Sequence, residues 1–370
     1  MKIHLLIWLT LVTTASHAQV YSDKVVGKKH IALEDSIKSA DYPYVLPIWG
    51  AKATKRGYDL PYSAGLNINY LWQESDLTIN NLEVGFNNGP QYNLDEIVRF
   101  NQATSTTNAV NFRPDVWLLP FLNVYGIFAK SNSSTAIDFG IWVPDATDAW
   151  SEVFTATTKA NFEGTTLGFG MTPTVGVGGG FIALDMNAAW TDIAALEKPS
   201  FSFVFGPRLG KSFRLKNEQA VAVWVGGFRV KINSGTTGSL AISDLFDTSN
   251  FGSKIQSGIV KVSEAQANVD TWWNDLSQLE QNNPVNKAKY ETANRALEAA
   301  GKFLSGAAVA ADNLAAGTVQ YSLDKKQTNL WNFVVGAQYQ LNKHFIFRSE
   351  VGFLSSRTQL LAGLQYRFGL

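Results

Sequence analysis

The sequence holds no cysteine and only four histidines in 370 residues. Without Cys there is no disulfide framework, no thiolate zinc site and no thiol nucleophile. Charge is scarce as well: Asp, Glu, Lys and Arg make up 17% of the chain, against about 25% in ordinary soluble domains. The 31 basic residues balance 31 acidic ones, so there is no basic footprint for nucleic acid. Long apolar runs are missing too, since no segment past Gln19 reaches the roughly 20 apolar residues of a membrane-spanning helix. What is abundant is aromatic surface, 12% of the chain as Phe, Trp and Tyr. Few charges with many aromatics exclude a disordered chain and suit one that shows apolar surface to lipid through strands.

The start reads as an address. Met1-Lys2 gives a short positive head, Ile3 to Val12 an apolar stretch, and Ser16-His17-Ala18 a small-x-small cleavage signature. Residues 1–18 are therefore expected to be a cleaved export signal. Residues 19–61, with Pro43, Pro47 and Pro61 and a short helix over Ala32–Ser39, are expected to form a periplasmic or lumen-entering lead.

From 62 to 370 the pattern has the period of a strand. Leu360, Ala362, Leu364, Tyr366, Phe368 and Leu370 alternate with Gln359, Gly363, Gln365 and Arg367. Trp331, Phe333, Val335, Ala337, Tyr339 and Leu341 repeat the pattern, as do Phe201, Phe203 and Phe205. The strands are longer than those of a soluble sandwich, and their polar face is mostly Gly, Asn, Ser, Thr and Gln. These are the marks of a transmembrane barrel. A barrel is required because lipid cannot satisfy backbone N–H and C=O groups, so a sheet there must close on itself.

The fold class expected is thus all-β, an antiparallel up-and-down transmembrane barrel. Candidate strands fall at 62–73, 76–88, 108–118, 121–130, 135–143, 161–175, 180–193, 199–213, 219–233, 328–341, 345–354 and 358–370. That makes about twelve, with ten and fourteen as the neighbouring even counts. One point resists the scheme: the long connection Gly89–Thr107 lands on the periplasmic side, while Leu119-Pro120 becomes a tight extracellular turn. The stretch Ser234–Gln327 falls outside the cell as one long loop. Within it Ala265, Val269, Trp272, Leu276 and Leu279, then Tyr290, Leu297, Leu304, Ala308 and Ala311, recur at helical spacing on either side of Asn282-Asn283-Pro284. A helical hairpin is expected there, either resting on the barrel rim or acting as a plug or protein-contact module.

If the strand phases hold, Arg208, Arg229, Lys231, Arg348 and Arg367 point into the lumen from one side with Glu350 among them. Glu83, Asp115, Asp138 and Asp185 point in from the other, with Arg113 opposing. Two readings stay open: facing walls that set a transverse field across a polar passage, or charges that pair and fill a narrow barrel.

Catalytic signals are sparse. After the signal only His30 and His344 remain, one in the lead and one in a periplasmic turn, and neither suits a general base at the extracellular mouth. No nucleophile elbow, zincin or phosphate-loop motif occurs. Gly176–Gly180 reads as a hairpin turn, and the pairs Asp145/Asp148 and Asp244/Asp247 read as solvated loop carboxylates rather than a calcium site. No enzyme activity, metal or cofactor is expected.

The signal, the run Trp331–Leu341 and the terminal run Leu360-Leu-Ala-Gly-Leu-Gln-Tyr-Arg-Phe together resemble outer-membrane β-barrel proteins of Gram-negative bacteria. The segment Arg113–Gly126 looks like one found in uncharacterised, porin-like members of that group. The resemblance implies an outer-membrane location, outer-membrane lipid as surroundings, and barrel-assembly machinery as a partner. Tyr366 and Phe368 would carry the C-terminal assembly signal, although the chain given ends Phe368-Gly369-Leu370 rather than on the aromatic itself. The function expected is porin-like passage of a small polar or amphipathic solute; the alternative is a non-conducting structural or interaction barrel. A hydrophobic-ligand transporter is a variant of the first, and would require an apolar lumen pocket or a lateral opening.

Overall fold

The computed structural model describes residues 23–24, 31–177, 180–194, 196, 198–232, 235–246, 249–312, 316–354 and 356–370. The expected signal 1–18, His30, Asp247 and the turn at 178–179 lie outside the described residues.

Before the barrel, the chain forms β1 (Asp23–Lys24), α1 (Ile31–Ser39), α2 (Gly50–Thr54) and β2 (Tyr58–Asp59). Then come β3 (Ala64–Phe86), the short β4 (Tyr92–Asn93), β5 (Val98–Leu119), β6 (Leu122–Pro144) and β7 (Trp150–Val177). They are followed by β8 (Gly180–Ile193), β9 (Ser200–Arg214), β10 (Ala220–Ile232) and β11 (Gly235–Ala241). The helices α3 (Ile242–Leu245), α4 (Phe251–Asp275), α5 (Gln278–Gln281) and α6 (Pro284–Ala311) intervene. The strands β12 (Thr318–Gln327), β13 (Trp331–Gln340), β14 (Phe345–Leu354) and β15 (Arg357–Phe368) complete the order.

Each barrel strand is antiparallel to its neighbour, and β3 pairs with both β5 and β15, through Ala64↔Val116 and Ala64↔Phe368. The ring therefore closes with ten strands, while β4, β11 and β12 lie off it. The count of about twelve is corrected for a physical reason. Segments 62–73 and 76–88 are one strand, as are 121–130 and 135–143, because a ladder of backbone hydrogen bonds runs on through polar side chains such as Ser75, Asp76 and Ser131–Ser134. Merging them also moves the connection 87–97 to the same end as the long insertion. The Leu119–Leu122 turn then joins the turns at 215–219 and 341–344 at the other end, so the misplaced connection disappears.

The outer face carries the apolar residues. Ile68, Phe169, Leu209, Phe347 and Leu364 are exposed on a belt that ends in polar side chains beyond Trp72 on β3. A belt spanning Phe345 to Phe353 on β14 matches the roughly 9–11 residues a tilted strand needs to cross hydrocarbon. Above it, β3, β5, β6 and β7 run on into a head, joined by β12 on β3 and β11 on β12.

The two long helices roof this head. Phe251, Ile255, Gly258, Val262 and Val269 of α4 are buried, as are Ala293, Leu297, Ala300, Leu304 and Ala307 of α6. The small Ala positions let the helices approach closely, and both pack with Phe86, Phe139, Phe154 and Val319 of the strands in one core. Helix α6 begins where Pro fits, with Pro284 at its first position and the Asn283 side chain accepting the Val285 N–H at 2.9 Å. The apolar stripe of α4 starts at Phe251 rather than Ala265, and Leu279 is exposed.

At the turn end the segment before β3 crosses the barrel. Its Ile48 N–H donates to Leu118 O of β5 at 2.9 Å, and Val45 N–H to Leu370 O at 2.9 Å. Asp59 pairs with Arg214 at the end of β9, on the far side of the ring, at 3.1 Å.

Candidate functional site: a closed lumen below an apolar chamber

The lumen is filled by two layers of polar side chains. In the upper layer Arg208 of β9 reaches across to β14, its Nε and Nη2 donating to Glu350 Oε2 and Oε1 at 2.8 and 3.0 Å. Its Nη1 contacts Asp185 Oδ2 at 3.3 Å. The Trp224 indole donates to Glu350 Oε2 at 2.8 Å, and Arg348 lies over that indole, 4.8 Å from the ring centre. Asp185 also accepts from Thr172 Oγ1 at 2.9 Å and from the Tyr125 hydroxyl.

In the lower layer Asp115 accepts from Asn123, Asn67 and Gln365 at 2.7, 2.8 and 2.9 Å, and pairs with Arg367 at 3.1 Å. Arg113 links the layers by stacking on Tyr125, 3.8 Å from its ring centre. The space left between them is a polar cavity of about 130 Å³.

Three cross-strand pairs make room for the rings that crowd this lumen. Trp224 faces Gly336, Tyr125 faces Gly170 and Phe181 faces Gly210. A Cβ at any of these glycines would sit 2.3 Å from a ring atom, so close approach, not backbone flexibility, requires the glycine.

The structure brings together Arg208, Arg348, Arg367, Asp115, Asp185 and Glu350, with Arg113, but as bonded partners rather than separated walls. Four expected lumen charges lie elsewhere. Arg229 and Lys231 are exposed on the outer face, register partners of Phe205 and Phe203, because Trp224 and Phe228 of the same strand point inward. Glu83 is turned outward by a bulge at Asn81 (φ 51°), after which Leu82, Val84 and Phe86 take the inner face. Asp138 faces out between the inward Ile137 and Phe139, and its contact is Asn101 at 3.4 Å.

The remaining candidates have structural surroundings. His344 lies between Tyr62 and Tyr366, with Nδ1 2.8 Å from Arg367 O. Asp145 caps its own loop, accepting from the Thr147 and Ala149 N–H groups at 2.7 and 3.0 Å. Tyr366 stands on the outer belt beside Phe345, and Phe368 ends β15 opposite Ala64. Among the described residues no His, Asp or Glu cluster is arranged to hold a metal.

Sequence reasoning missed the second site. Above the lumen, walled by residues of β3, β6, β7, β11 and β12 and by Phe303 of α6, lies a partly open apolar chamber of about 150 Å³. Ile79, Phe139, Phe162, Phe246 and Leu323 are among its walls, and Lys325 is the one charged side chain that lines it. Lys325 makes no ion pair among the described residues; its ammonium stands 6.0 Å from the centre of the Phe162 ring across the chamber. Burial lowers its pKa from the ordinary lysine value.

No family model and no curated protein matches the sequence. Solved structures that superpose on the chain include the β-domain of the Bordetella autotransporter BrkA, at 7% identity and TM-score 0.34, covering 83% of this chain and 100% of that one. An outer-membrane channel from Pseudomonas putida F1 superposes at 9% identity and TM-score 0.27, covering 83% and 96%. The P. putida toluene transporter TodX superposes at 7% identity and TM-score 0.26, covering 84% and 91%. Superpositions this loose leave the fold to be defined by the ladder itself: a closed, ten-stranded antiparallel barrel with an apolar outer belt.

Proposed function

We propose that the protein is an outer-membrane barrel, closed to free diffusion in this conformation, that takes a small apolar or amphipathic solute into the chamber of its head. It acts by binding, without catalysis. The observation that supports the reading is the apolar chamber, partly open, above a lumen bridged by Arg208 and Glu350. A soluble barrel would not need the outer belt of Phe, Leu and Ile, which a hydrocarbon surround accounts for. The orientation that places the head outside the cell keeps long connections extracellular and short turns periplasmic.

Porin-like passage of polar solutes would require the Arg208–Glu350 and Arg367–Asp115 pairs to separate and the segment at the turn end to leave. A purely structural or interaction barrel is the second reading, and the same closed lumen favours it. An apolar fluorescent probe separates the two. With the refolded protein, N-phenylnaphthylamine should bind saturably and lose most of its signal in Ala160→Phe, which fills the chamber wall. Probe signal that is identical in the wild type and Ala160→Phe would leave the interaction barrel standing. Planar-bilayer recording should show no steady openings.

A further inference from the structure

Resting on that reading of the chamber, we infer that its solute is an acid: an apolar group about the size of a benzene ring joined to a single carboxylate, with the carboxylate held by Lys325. A benzene-sized group suits the space, because a dry cavity of about 150 Å³ holds benzene and this chamber has about that volume. The walls are Ile, Leu, Val and Phe almost throughout, so the solute's body must be apolar.

The charge argument comes from one flank of β3. At Asp76 that flank passes from β15 to β12: the Asp76 N–H donates to Ser356 O at 2.8 Å, and its carbonyl accepts from the Thr328 N–H at 3.1 Å. The residues meeting the inner face along it are Arg357 beside Ser75, Gln327 beside Leu77 and Lys325 beside Ile79. The two cations are therefore four residues apart on β3, about 13 Å along a strand.

Neither cation has a carboxylate among the described residues. Arg357 is 3% exposed, lies over the Phe228 ring at 5.2 Å, and among the described residues has a single hydrogen bond, from Nη2 to Asn329 O at 3.1 Å. Among the described residues its Nε and Nη1 have no hydrogen-bond partner, and neither do the Gln327 Oε1 and both amide atoms of Asn332. The Asn332 side chain is 1% exposed. A cation withdrawn from water without a partner is costly, and here a buried one, Arg357, and a half-buried one, Lys325, share one flank. The lumen of the same protein shows the alternative arrangement, since Arg208 and Arg367 are each given a carboxylate. An anionic head entering from the chamber supplies the missing charge at Lys325, the one charged side chain that lines it.

The test compares 3-phenylpropionate with its neutral isostere 3-phenylpropan-1-ol. Binding to the refolded full-length protein is measured by calorimetry, with uptake by empty micelles subtracted. The variants are Lys325→Met and Ala160→Phe, each checked for folding by heat-modifiable electrophoretic mobility. The expected result is at least tenfold tighter binding of the acid to the wild type, a preference reduced to near parity in Lys325→Met, and neither compound bound by Ala160→Phe. Equal binding of acid and alcohol, unchanged in Lys325→Met, would overturn the acid while leaving the chamber as a binding site. No binding of either compound to the folded wild type would overturn both. Octanoate in parallel tells a chain acid from an aromatic one: binding as tight as the aromatic acid's would overturn the benzene-sized limit, and weaker binding supports it.

Discussion

The indole of Trp224 occupies the space beside its register partner Gly336 on the next strand, where a Cβ would stand 2.3 Å from the ring. From that position its N–H reaches Glu350 Oε2 at 2.8 Å. Gly336→Val should therefore push the indole off the carboxylate. We expect a loss of about 2–3 kcal/mol, the cost of overpacking with strain, read from urea unfolding of the refolded barrel. Trp224→Phe in the same background should add little further, since the hydrogen bond is already gone.

The Glu350 side chain is 3% exposed, and Arg208 gives its carboxylate two hydrogen bonds. Removing one member of a buried pair strands the other, at about 3–5 kcal/mol. Arg208→Ser should show that loss, whereas Arg229→Ser on the outer face should stay within about 0.5 kcal/mol. Equal effects in unfolding experiments would refute the placement of these two arginines on opposite faces.

Deleting 251–311 and bridging the gap with a short Gly-Ser linker tests the helices as a roof. The deletion uncovers Phe86, Phe139 and Phe154, so dye binding to exposed apolar surface should rise several-fold. Bilayer recordings should stay silent, because the ion pairs that bridge the lumen lie on the strands. Steady openings in the deletion would show that the helices act as a plug.

Lys325→Met bears on stability as well as binding. The ammonium is desolvated among apolar walls with no counter-charge among the described residues. Met keeps the length and removes the charge, so the variant should unfold at equal or higher temperature than the wild type, by a few degrees at most. A marked fall in unfolding temperature would mean that Lys325 contributes to the fold itself.

Much of the barrel was legible because apolar residues recur at every second position along the outer face of its strands. On β13, β14 and β15 the alternation is clean, and Arg348, Glu350 and Arg367 point inward as their phase predicts. On β10 the run Ala-Val-Ala-Val-Trp-Val is apolar on both faces, because an indole fills the narrow lumen. Periodicity there has no phase to offer, so alternation alone assigns Arg229 and Lys231 to the wrong face. Glu83 failed through one extra residue, the bulge at Asn81, which no alternation reveals. The chamber was illegible for a different reason. Lys325 stands in the ordinary stretch Leu-Asp-Lys-Lys, and only the pairing of β12 with β3 turns it inward while Lys326 is exposed.

The segment that crosses the turn end carries a consequence for how the ring is held together. Val45 and Leu46 bind the Leu370 carbonyl just past β15, Ile48 binds Leu118 on β5, and Tyr62 gives its carbonyl to Arg367. These partners sit on either side of β3, where the ring is stitched shut. The segment thus ties together the two strands that flank β3, and so braces the seam of the ring from outside the sheet.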